Sequence, residues 1–173
     1  MFDVYGDKDG FVAVGWRADQ TDRDHPAIWQ SVDGATWIDV SPSAAGTLEK
    51  VVRQPGGVYV AAGVDENDSF AVWRSEDRTH WARVAISAPA FRPGAFLTIG
   101  LASSTDSLIL VAETATGWKS WTSRDGQTWA NLAVTDADPR PSRGTVIAAH
   151  EDRVVLFAGE TNELWVGRLT PIQ

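Results

Sequence analysis

The sequence predicts an all-β fold, a β-propeller of about four blades, in which each blade is a four-stranded antiparallel meander. Three observations support this prediction: a tryptophan repeat, short apolar runs separated by turn residues, and weak helix signals throughout. The repeat consists of Trp29, Trp73, Trp121 and Trp165, which are separated by 44, 48 and 44 residues. A period of about 40 to 50 residues built from short apolar runs is typical of propeller blades.

The chain of 173 residues is predicted to form a single domain, because about 150 residues per domain is usual. Its repeats place the blades at about 1–41, 46–87, 95–135 and 143–170. Hydrophobic residues make up 43% of the chain and charged residues 22%, which is a globular composition. No run approaches the roughly 18 apolar residues needed to cross a bilayer, so we expect no membrane insertion.

Charge and cysteine content exclude several function classes. The formal net charge of -8 argues against nucleic acid as a partner, because a phosphate-binding surface needs clustered Lys and Arg, and here they are scattered. The absence of cysteine excludes a disulfide framework and a thiolate metal site. Met1 to Val4 show neither a basic nor a long apolar segment, so no signal peptide is visible. We therefore expect a cytoplasmic protein, or an extracellular or cell-surface one if the sequence is trimmed from a longer protein.

The first two strands of each blade are predicted from short apolar runs. The first strands lie around Asp3 to Tyr5, Leu48 to Arg53, Leu97 to Ser103 and Thr145 to His150. The second strands are nearly unbroken apolar runs, at Phe11 to Trp16, Val58 to Gly63, Leu108 to Ala112 and Val154 to Gly159. Continuous apolarity predicts burial on both faces of a strand, as when blades pack face to face.

The third strands carry the repeated tryptophans, and the fourth strands begin at a second tryptophan. In the second blade these strands are predicted at Phe70 to Arg74 and Trp81 to Ile86. In the fourth blade, Leu164 to Leu169 supplies a third strand, but Thr170 to Gln173 is too short to form a fourth. The last blade is therefore predicted to be incomplete.

Three arrangements are compatible with an incomplete last blade. They are a four-bladed ring whose last blade has three strands, a fragment of a larger propeller, and a half-ring completed by a second copy. An unpaired strand edge and open apolar blade faces attract partners. If the chain is complete, we therefore expect a homodimer rather than a closed four-bladed monomer.

One turn motif recurs between the third and fourth strands, at Ser31 to Trp37, Ser75 to Trp81 and Ser123 to Trp129. In each copy an Asp follows the Ser by two residues, where its carboxylate can accept hydrogen bonds from backbone N–H groups of its own turn. The closing Trp is expected to bury about 150 to 250 Å² and to hold the hairpin against the blade. The motif resembles the Asp-box, or BNR, repeats of sialidase-like β-propellers. The resemblance implies a fold-stabilising turn on the face opposite the active site, and it implies no activity by itself.

The connections between second and third strands, and those between blades, are expected to share the other face, which we call the loop face. Many charged residues fall in these connections, among them Asp19, Asp22, Asp24, His25, Asp65, Glu66, Asp68, Glu160 and Glu163. We predict that the ligand is bound on this face by Arg92, Arg140, Arg143, Glu113 and Trp118. No stretch matches a calcium loop, and we expect neither a metal nor a cofactor.

Sialidase chemistry is the activity that the resemblance suggests. It needs three arginines around a carboxylate, a Tyr nucleophile activated by a Glu, and an Asp acid/base. Arg92, Arg140 and Arg143 lie in suitable loops. Tyr59 lies within a strand predicted to be buried, which leaves Tyr5 as the candidate nucleophile.

The sequence favours a non-catalytic module that binds a glycan or a protein through its loop face, and it assigns no catalytic residue. The alternative is an enzyme, a sialidase-like glycoside hydrolase or another small-molecule catalyst, with a site in the central channel or at a dimer interface. Clustering of the three arginines around one pocket close to Glu113 would favour the enzyme. Dispersed arginines would favour binding.

Overall fold

The computed structural model describes residues 1–18, 20, 24–67, 69–85, 99–114, 117–135, 145–159 and 162–171. Its strands form four consecutive antiparallel blades, which confirms the predicted all-β propeller of four blades. The described residues contain no helix, and hence none that is long and apolar enough to span a membrane.

Blade 1 is a four-stranded antiparallel sheet in chain order. Its strands are β1 (Asp3–Asp7), β2 (Gly10–Ala18), β3 (Asp24–Ser31) and β4 (Ile38–Asp39). The β2 strand pairs with β3 from Phe11 to Ala18, where Ala18 lies opposite Asp24, and the two strands therefore reach the loop face together.

Blade 2 repeats this order with β5 (Gly46–Arg53), β6 (Tyr59–Asp65), β7 (Phe70–Ser75) and β8 (Ala82–Arg83). The first three strands match their predicted positions to within two residues. The fourth strand is shorter than predicted, since Trp81 belongs to the preceding turn. Residues 86 and 87 lie outside the described part of the chain.

Blade 3 consists of β9 (Ile99–Ser103), β10 (Leu108–Thr114), β11 (Gly117–Ser123) and β12 (Ala130–Thr135). Blade 4 contributes three strands of its own, β13 (Val146–His150), β14 (Arg153–Ala158) and β15 (Glu163–Pro171). These strands join blade 3 in one sheet of seven, in the order β13-β14-β15-β12-β11-β10-β9.

The strand β12 serves two blades. Its first part pairs with β11, and its last part, from Leu132 to Thr135, pairs antiparallel with β15 from Pro171 back to Arg168. The prediction that the third strand of blade 4 has an unpaired outer edge is therefore wrong over these residues. The edge is covered because β12, the outermost strand of blade 3, pairs with it.

Buried side chains fill the junctions between consecutive blades. Tyr59 and Ala61 of β6 join the cluster shared with blade 1, whereas Val60 and Ala62 join the cluster shared with blade 3. Ile109 of β10 lies in a further cluster with residues of blade 4. Both faces of β6 and β10 are thus buried, as their unbroken apolar runs predict. The same prediction is wrong for β2 and β14 of the first and last blades, where Phe11 and Phe157 are 36% and 39% exposed.

In all three Ser-x-Asp turns the Ser hydroxyl and two backbone amides bond to the Asp carboxylate. The closing indole donates back to the turn in the first two copies, whereas Trp129 Nε1 in the third has no hydrogen-bond partner among the described residues. In the first, Ser31 Oγ lies 3.0 Å from Asp33 Oδ1, and the amides of Ala35 and Thr36 both donate to that carboxylate oxygen at 2.8 Å. These bonds hold the pKa of Asp33 down at about 2. The indole Nε1 of Trp37 donates back to the turn, so the seven residues form one closed unit.

The second copy places Arg78 where the other two copies have glycine. Arg78 has a φ of 69°, close to the 74° of Gly34 and the 72° of Gly126. Its guanidinium donates to the carbonyl oxygen of Asp9 in blade 1. The turn therefore accepts a side chain in a left-handed conformation, and that side chain ties blade 2 to blade 1.

Candidate functional site

A cleft of about 580 Å³ opens on the loop face between blades 1 and 2. It is large enough for a small ligand, since pockets for such molecules commonly measure about 300 to 1,000 Å³. Three carboxylate-bearing residues contribute to its walls. The lining residues are Asp24, Ala45, Gly46, Thr47, Val64, Asp65 and Glu66.

The floor of the cleft is formed where β5 begins against the end of β6. Gly46 has a φ of +123°, a conformation that L side chains rarely adopt, and a β-carbon there would overlap the carbonyl oxygen of Val64. The β5 strand also carries a bulge between Leu48 and Lys50. Bulges bend a strand and are frequent next to functional sites.

Asp65 fixes the rim of the cleft and is only 8% exposed. Its Oδ1 accepts hydrogen bonds from the amides of Asn67 at 2.9 Å and Ser69 at 3.0 Å, and Arg83 donates to its Oδ2 at 2.5 Å. Burial acts to raise the pKa of Asp65, but the bonds from Asn67, Arg83 and Ser69 together lower it. Asp65 therefore stays ionised and acts as a structural anchor for the loop that begins at Glu66.

Asp24 and Glu66 are exposed and come from different blades. Asp24 is the first residue of β3, and Glu66 directly follows β6. Beside Asp24, the His25 ring donates through Nδ1 to the carbonyl oxygen of Ala44 at 2.6 Å, which ties β3 to the connection between the blades. The two carboxylates are thus presented to the cleft by strand ends whose positions are fixed.

An exposed indole lies close to this cleft. Trp16 pairs with Pro26 in the β2–β3 ladder, two positions from the Asp24 pair, and is 41% exposed. Because side chains alternate along a strand, Trp16 shares the face of Val12 and Val14, which pack against blade 2. Trp16 therefore lies on the side of blade 1 that faces the cleft.

The structure places two of the five predicted ligand-binding residues. Glu113 and Trp118 lie directly opposite each other in the β10–β11 hairpin, at the loop-face end of blade 3. Trp118 packs in part against the cluster between blades 3 and 4. Arg92, Arg140 and Arg143 lie outside the described residues. The proposed clustering of arginines near Glu113 thus stays a prediction.

Sequence reasoning missed Trp16 and the Gly46–Thr47 wall of the cleft. A signal for Trp16 was present, because seven of the nine tryptophans belong to the repeat and only Trp16 and Trp118 do not. Both lie toward the loop face. A tryptophan outside the repeat is one that the blade architecture does not require.

The tyrosines belong to the core rather than to the loop face. Tyr59 is 3% exposed, and its hydroxyl donates to Asp7 Oδ2 at 3.2 Å. Arg53 pairs with the same Asp7 oxygen at 2.7 Å and lies over the Tyr59 ring. Tyr5 meets Tyr59 edge to face. Asp7 ends β1 and Tyr59 begins β6, so this network lies on the side of the Ser-x-Asp turns, which gives Tyr59 a structural role.

Among the described residues, no group of three or more His, Asp or Glu side chains is arranged to hold a metal ion. Asp68 of the acidic segment after β6 lies outside the described part of the chain.

No protein-family model and no curated protein matches the sequence. Solved structures do match. One comes from the GH130 family of mannoside phosphorylases, a family containing glycoside hydrolases that target β-1,2 mannosidic linkages in Candida mannan. It gives a TM-score of 0.55 at 12% identity over 87% of this chain and 56% of that chain.

Two bacterial proteins give similar values. A Bifidobacterium bifidum protein assigned as an exo-β-1,3-galactanase has a TM-score of 0.58 at 14% identity, over 90% of this chain and 60% of its own. A Bacteroides thetaiotaomicron protein assigned as a glycosidase has a TM-score of 0.56 at 12% identity, over 88% and 59%. This chain therefore spans three fifths or less of these structures, and the likeness is one of fold.

Proposed function

We propose that this chain acts on a glycoside and that the sugar occupies the loop-face cleft between blades 1 and 2. The observation that carries this proposal is the cleft itself, in which Asp24 and Glu66 face a ligand-sized space from two different blades. Glycoside cleavage commonly uses two carboxyl groups, one to protonate the leaving oxygen and one to act as base or nucleophile. The fold shared with three carbohydrate-active propellers supports the same class of substrate.

Within the proposal, each carboxylate has a separate role. Asp24 and Glu66 are the candidate acid and base, because both are exposed to the cleft. Asp65 is a positioning residue, since its two oxygens are already engaged by backbone amides and by Arg83. A sialidase mechanism is not proposed, because Tyr5, the candidate nucleophile, packs edge to face on the buried Tyr59 in the cluster between blades 1 and 2 and away from the cleft.

A second candidate function is sugar binding without turnover. The exposed Trp16 favours it, because an indole presents a flat apolar face together with an N–H donor. In this reading the acidic residues serve as hydrogen-bond acceptors for sugar hydroxyls. The Ser-x-Asp turns, which we propose to be Asp-boxes, stabilise the blades in either case.

The experiment compares turnover with binding. The protein is incubated with β-1,2-mannobiose and with β-1,3-galactobiose, with and without inorganic phosphate, and the released sugars are quantified by chromatography. We expect Asp24→Asn and Glu66→Gln each to lower turnover by at least about 100-fold, the size typical of a lost acid or base. Glu76→Gln is the matched control, because Glu76 is an exposed carboxylate in a turn on the opposite face.

The outcomes separate the two candidates. Release of monosaccharide, or of sugar phosphate when phosphate is added, supports the enzyme. Calorimetric binding that Trp16→Ala weakens, without turnover, supports the binding module. If the protein neither cleaves nor binds any mannoside or galactoside, the proposal is contradicted.

A further inference from the structure

Blade 4 has one apolar face that the described residues leave exposed. We call it the end face of blade 4, and it consists of Val146, Val155, Phe157, Leu164 and Val166. The strand register places Val146, Phe157 and Leu164 in one row, and Val146 and Leu164 are 58% and 64% exposed. The other face of the same strands is buried against blade 3.

Blade 1 has a corresponding exposed face at the other end of the row of blades. This end face of blade 1 carries the side chains of Val4, Phe11 and Trp29, and it includes Ala13, which is itself buried. Val4 is 53% and Phe11 36% exposed, and Trp29 is half-buried. The opposite face of blade 1 is the one buried against blade 2.

The repeated tryptophan shows what the end face of blade 1 lacks. Trp73 is 1% exposed in the cluster between blades 1 and 2, and Trp121 is 0% exposed in the cluster between blades 2 and 3. Trp165 packs against the cluster between blades 3 and 4. The repeated Trp of each blade thus faces the preceding blade. Trp29 holds the same position in blade 1, so its face is one half of a blade junction.

The end face of blade 4 is the other half. In each blade, the repeated Trp of the third strand pairs with a residue of the second strand. The residue just before that partner points to the following blade. Val12, Val60 and Ile109 hold this position in blades 1 to 3, and each is fully buried at a junction. Val155 holds it in blade 4, within the end face. The two end faces are therefore complementary halves of a junction that the described blades already make three times.

We propose that a second copy of this chain covers these faces, with blade 4 of each copy packed against blade 1 of the other. A second copy is the occupant with matching chemistry, because it carries both halves of the junction. Among the described strands, blades 1 and 4 of one copy do not pack extensively against each other. In a pair of copies related by a twofold axis, all four end faces are buried in two junctions, and the assembly is closed.

The inner strands identify where the copies meet. Within one copy β1 packs beside β5, β5 beside β9 and β9 beside β13. Continuation of this series places β13 of one copy beside β1 of the other. Val146 on β13 and Val4 on β1 are thus the residues at which a buried charge interferes most directly with pairing.

Light scattering on a size-exclusion column tests the proposal with the 173-residue chain. We expect a particle of twice the 18.8 kDa chain mass. Val146→Glu and Val4→Lys should each raise the dissociation constant at least tenfold. Gln127→Glu is the control, because Gln127 is exposed in the Ser-x-Asp turn of blade 3, which has no end face, and it should leave the mass unchanged.

Mixing the two variants identifies which faces meet. A mixed pair has one unaltered junction and one in which the carboxylate introduced by Val146→Glu meets the ammonium group introduced by Val4→Lys. The equimolar mixture should therefore regain the doubled mass that either variant alone has lost. A wild-type protein that stays at 18.8 kDa at high concentration would overturn the proposal. Loss of pairing in only one variant would also overturn it, because that result means identical faces meet. An open-ended series of larger species would overturn the closed pair.

Discussion

The carbonyl oxygen of Thr47 occupies the space that a β-carbon on Gly63 would need. The two residues lie on neighbouring strands β5 and β6, at the inner end of the loop-face cleft. This close approach brings the cleft residues Thr47 and Val64 together. It also makes the shape of the cleft dependent on a glycine that does not itself line it.

Gly63→Ala should destabilise the protein by about 1 to 3 kcal/mol or more, as overpacking against an immobile group does. The clash is with backbone, which cannot rotate away. Gly56→Ala is the matched control, because nothing lies within 4 Å of its β-carbon position. That change should alter the free energy of unfolding by less than about 1 kcal/mol and in the stabilising direction. Urea titrations of both variants measure the difference, and equal effects would contradict the close approach.

The Asp33 turn predicts a specific acid sensitivity. The amides of Thr36 and Ala35 and the Ser31 hydroxyl favour the ionised carboxylate and hold the pKa of Asp33 at about 2, below its ordinary value of 3.8. Because the folded pKa is the lower one, the stabilisation is fully present above pH 3.8 and is lost as the pH falls toward 2. Asp33→Asn should therefore flatten the dependence of unfolding free energy on pH between these values.

Asp106→Asn provides the control for this pH experiment. Asp106 is exposed in the β9–β10 turn, and no described hydrogen bond engages its carboxylate. Both variants exchange a carboxylate for an amide, so their comparison isolates the bonds that the Asp33 carboxylate accepts within its turn. A pH profile of stability for Asp33→Asn that matches the profile of Asp106→Asn would mean that the turn carboxylate contributes nothing.

Arg78 allows backbone strain to be separated from a side-chain contact. Arg78→Ala removes the bond to the Asp9 carbonyl but keeps a β-carbon at a φ of 69°. Arg78→Gly removes the bond and also the strain. The alanine variant should therefore be less stable than the glycine variant by about 1 to 2 kcal/mol, the usual cost of a left-handed residue with a β-carbon. Thermal melts compare the two, and equal stabilities would contradict strain at this position.

The closing tryptophans should differ in their contributions to stability. Trp129 is 7% exposed in the cluster between blades 2 and 3, whereas Trp37 at the same position of blade 1 is half-buried. Trp129→Ala should cost about 3 to 5 kcal/mol, as other buried large-to-small changes do. Trp37→Ala should cost clearly less in the same denaturant titration. A larger loss at Trp37 would contradict the difference in burial between the two closing tryptophans.

Much of the fold follows from the sequence because the blades repeat. Trp29 and its three counterparts fix the spacing, and the apolar run around Val60 requires a blade on either side. The Ser-x-Asp turns are also predictable, because Ser31 and Asp33 bond within a few residues of the chain. Local and periodic interactions leave signals that a single sequence preserves.

Contacts between distant segments leave no such signal. The pairing of β12 with β15 depends on how two blades are placed, so nothing near Leu132 or Arg168 indicates it. The cleft likewise depends on the approach of β5 to β6 and on the position of Asp24 in another blade. The sequence indicated acidic residues on the loop face, but it did not indicate that Asp65 is a structural anchor whereas Glu66 is free to face the cleft.

Asp65 and Glu66 should respond differently to the loss of their charges. Asp65→Asn removes the charge that pairs with Arg83 and weakens the bonds from the Asn67 and Ser69 amides. Since Asp65 is 8% exposed, the change should lower the free energy of unfolding by about 1 to 3 kcal/mol, the usual range for a lost charged hydrogen bond. Glu66→Gln should lower stability by less than about 0.5 kcal/mol, because Glu66 is exposed. Urea titration and sugar turnover, measured on both variants, should therefore give opposite orders: Asp65→Asn mainly loses stability, and Glu66→Gln mainly loses turnover. A stable Asp65→Asn variant without turnover would instead make Asp65 a catalytic residue and would contradict its role as an anchor.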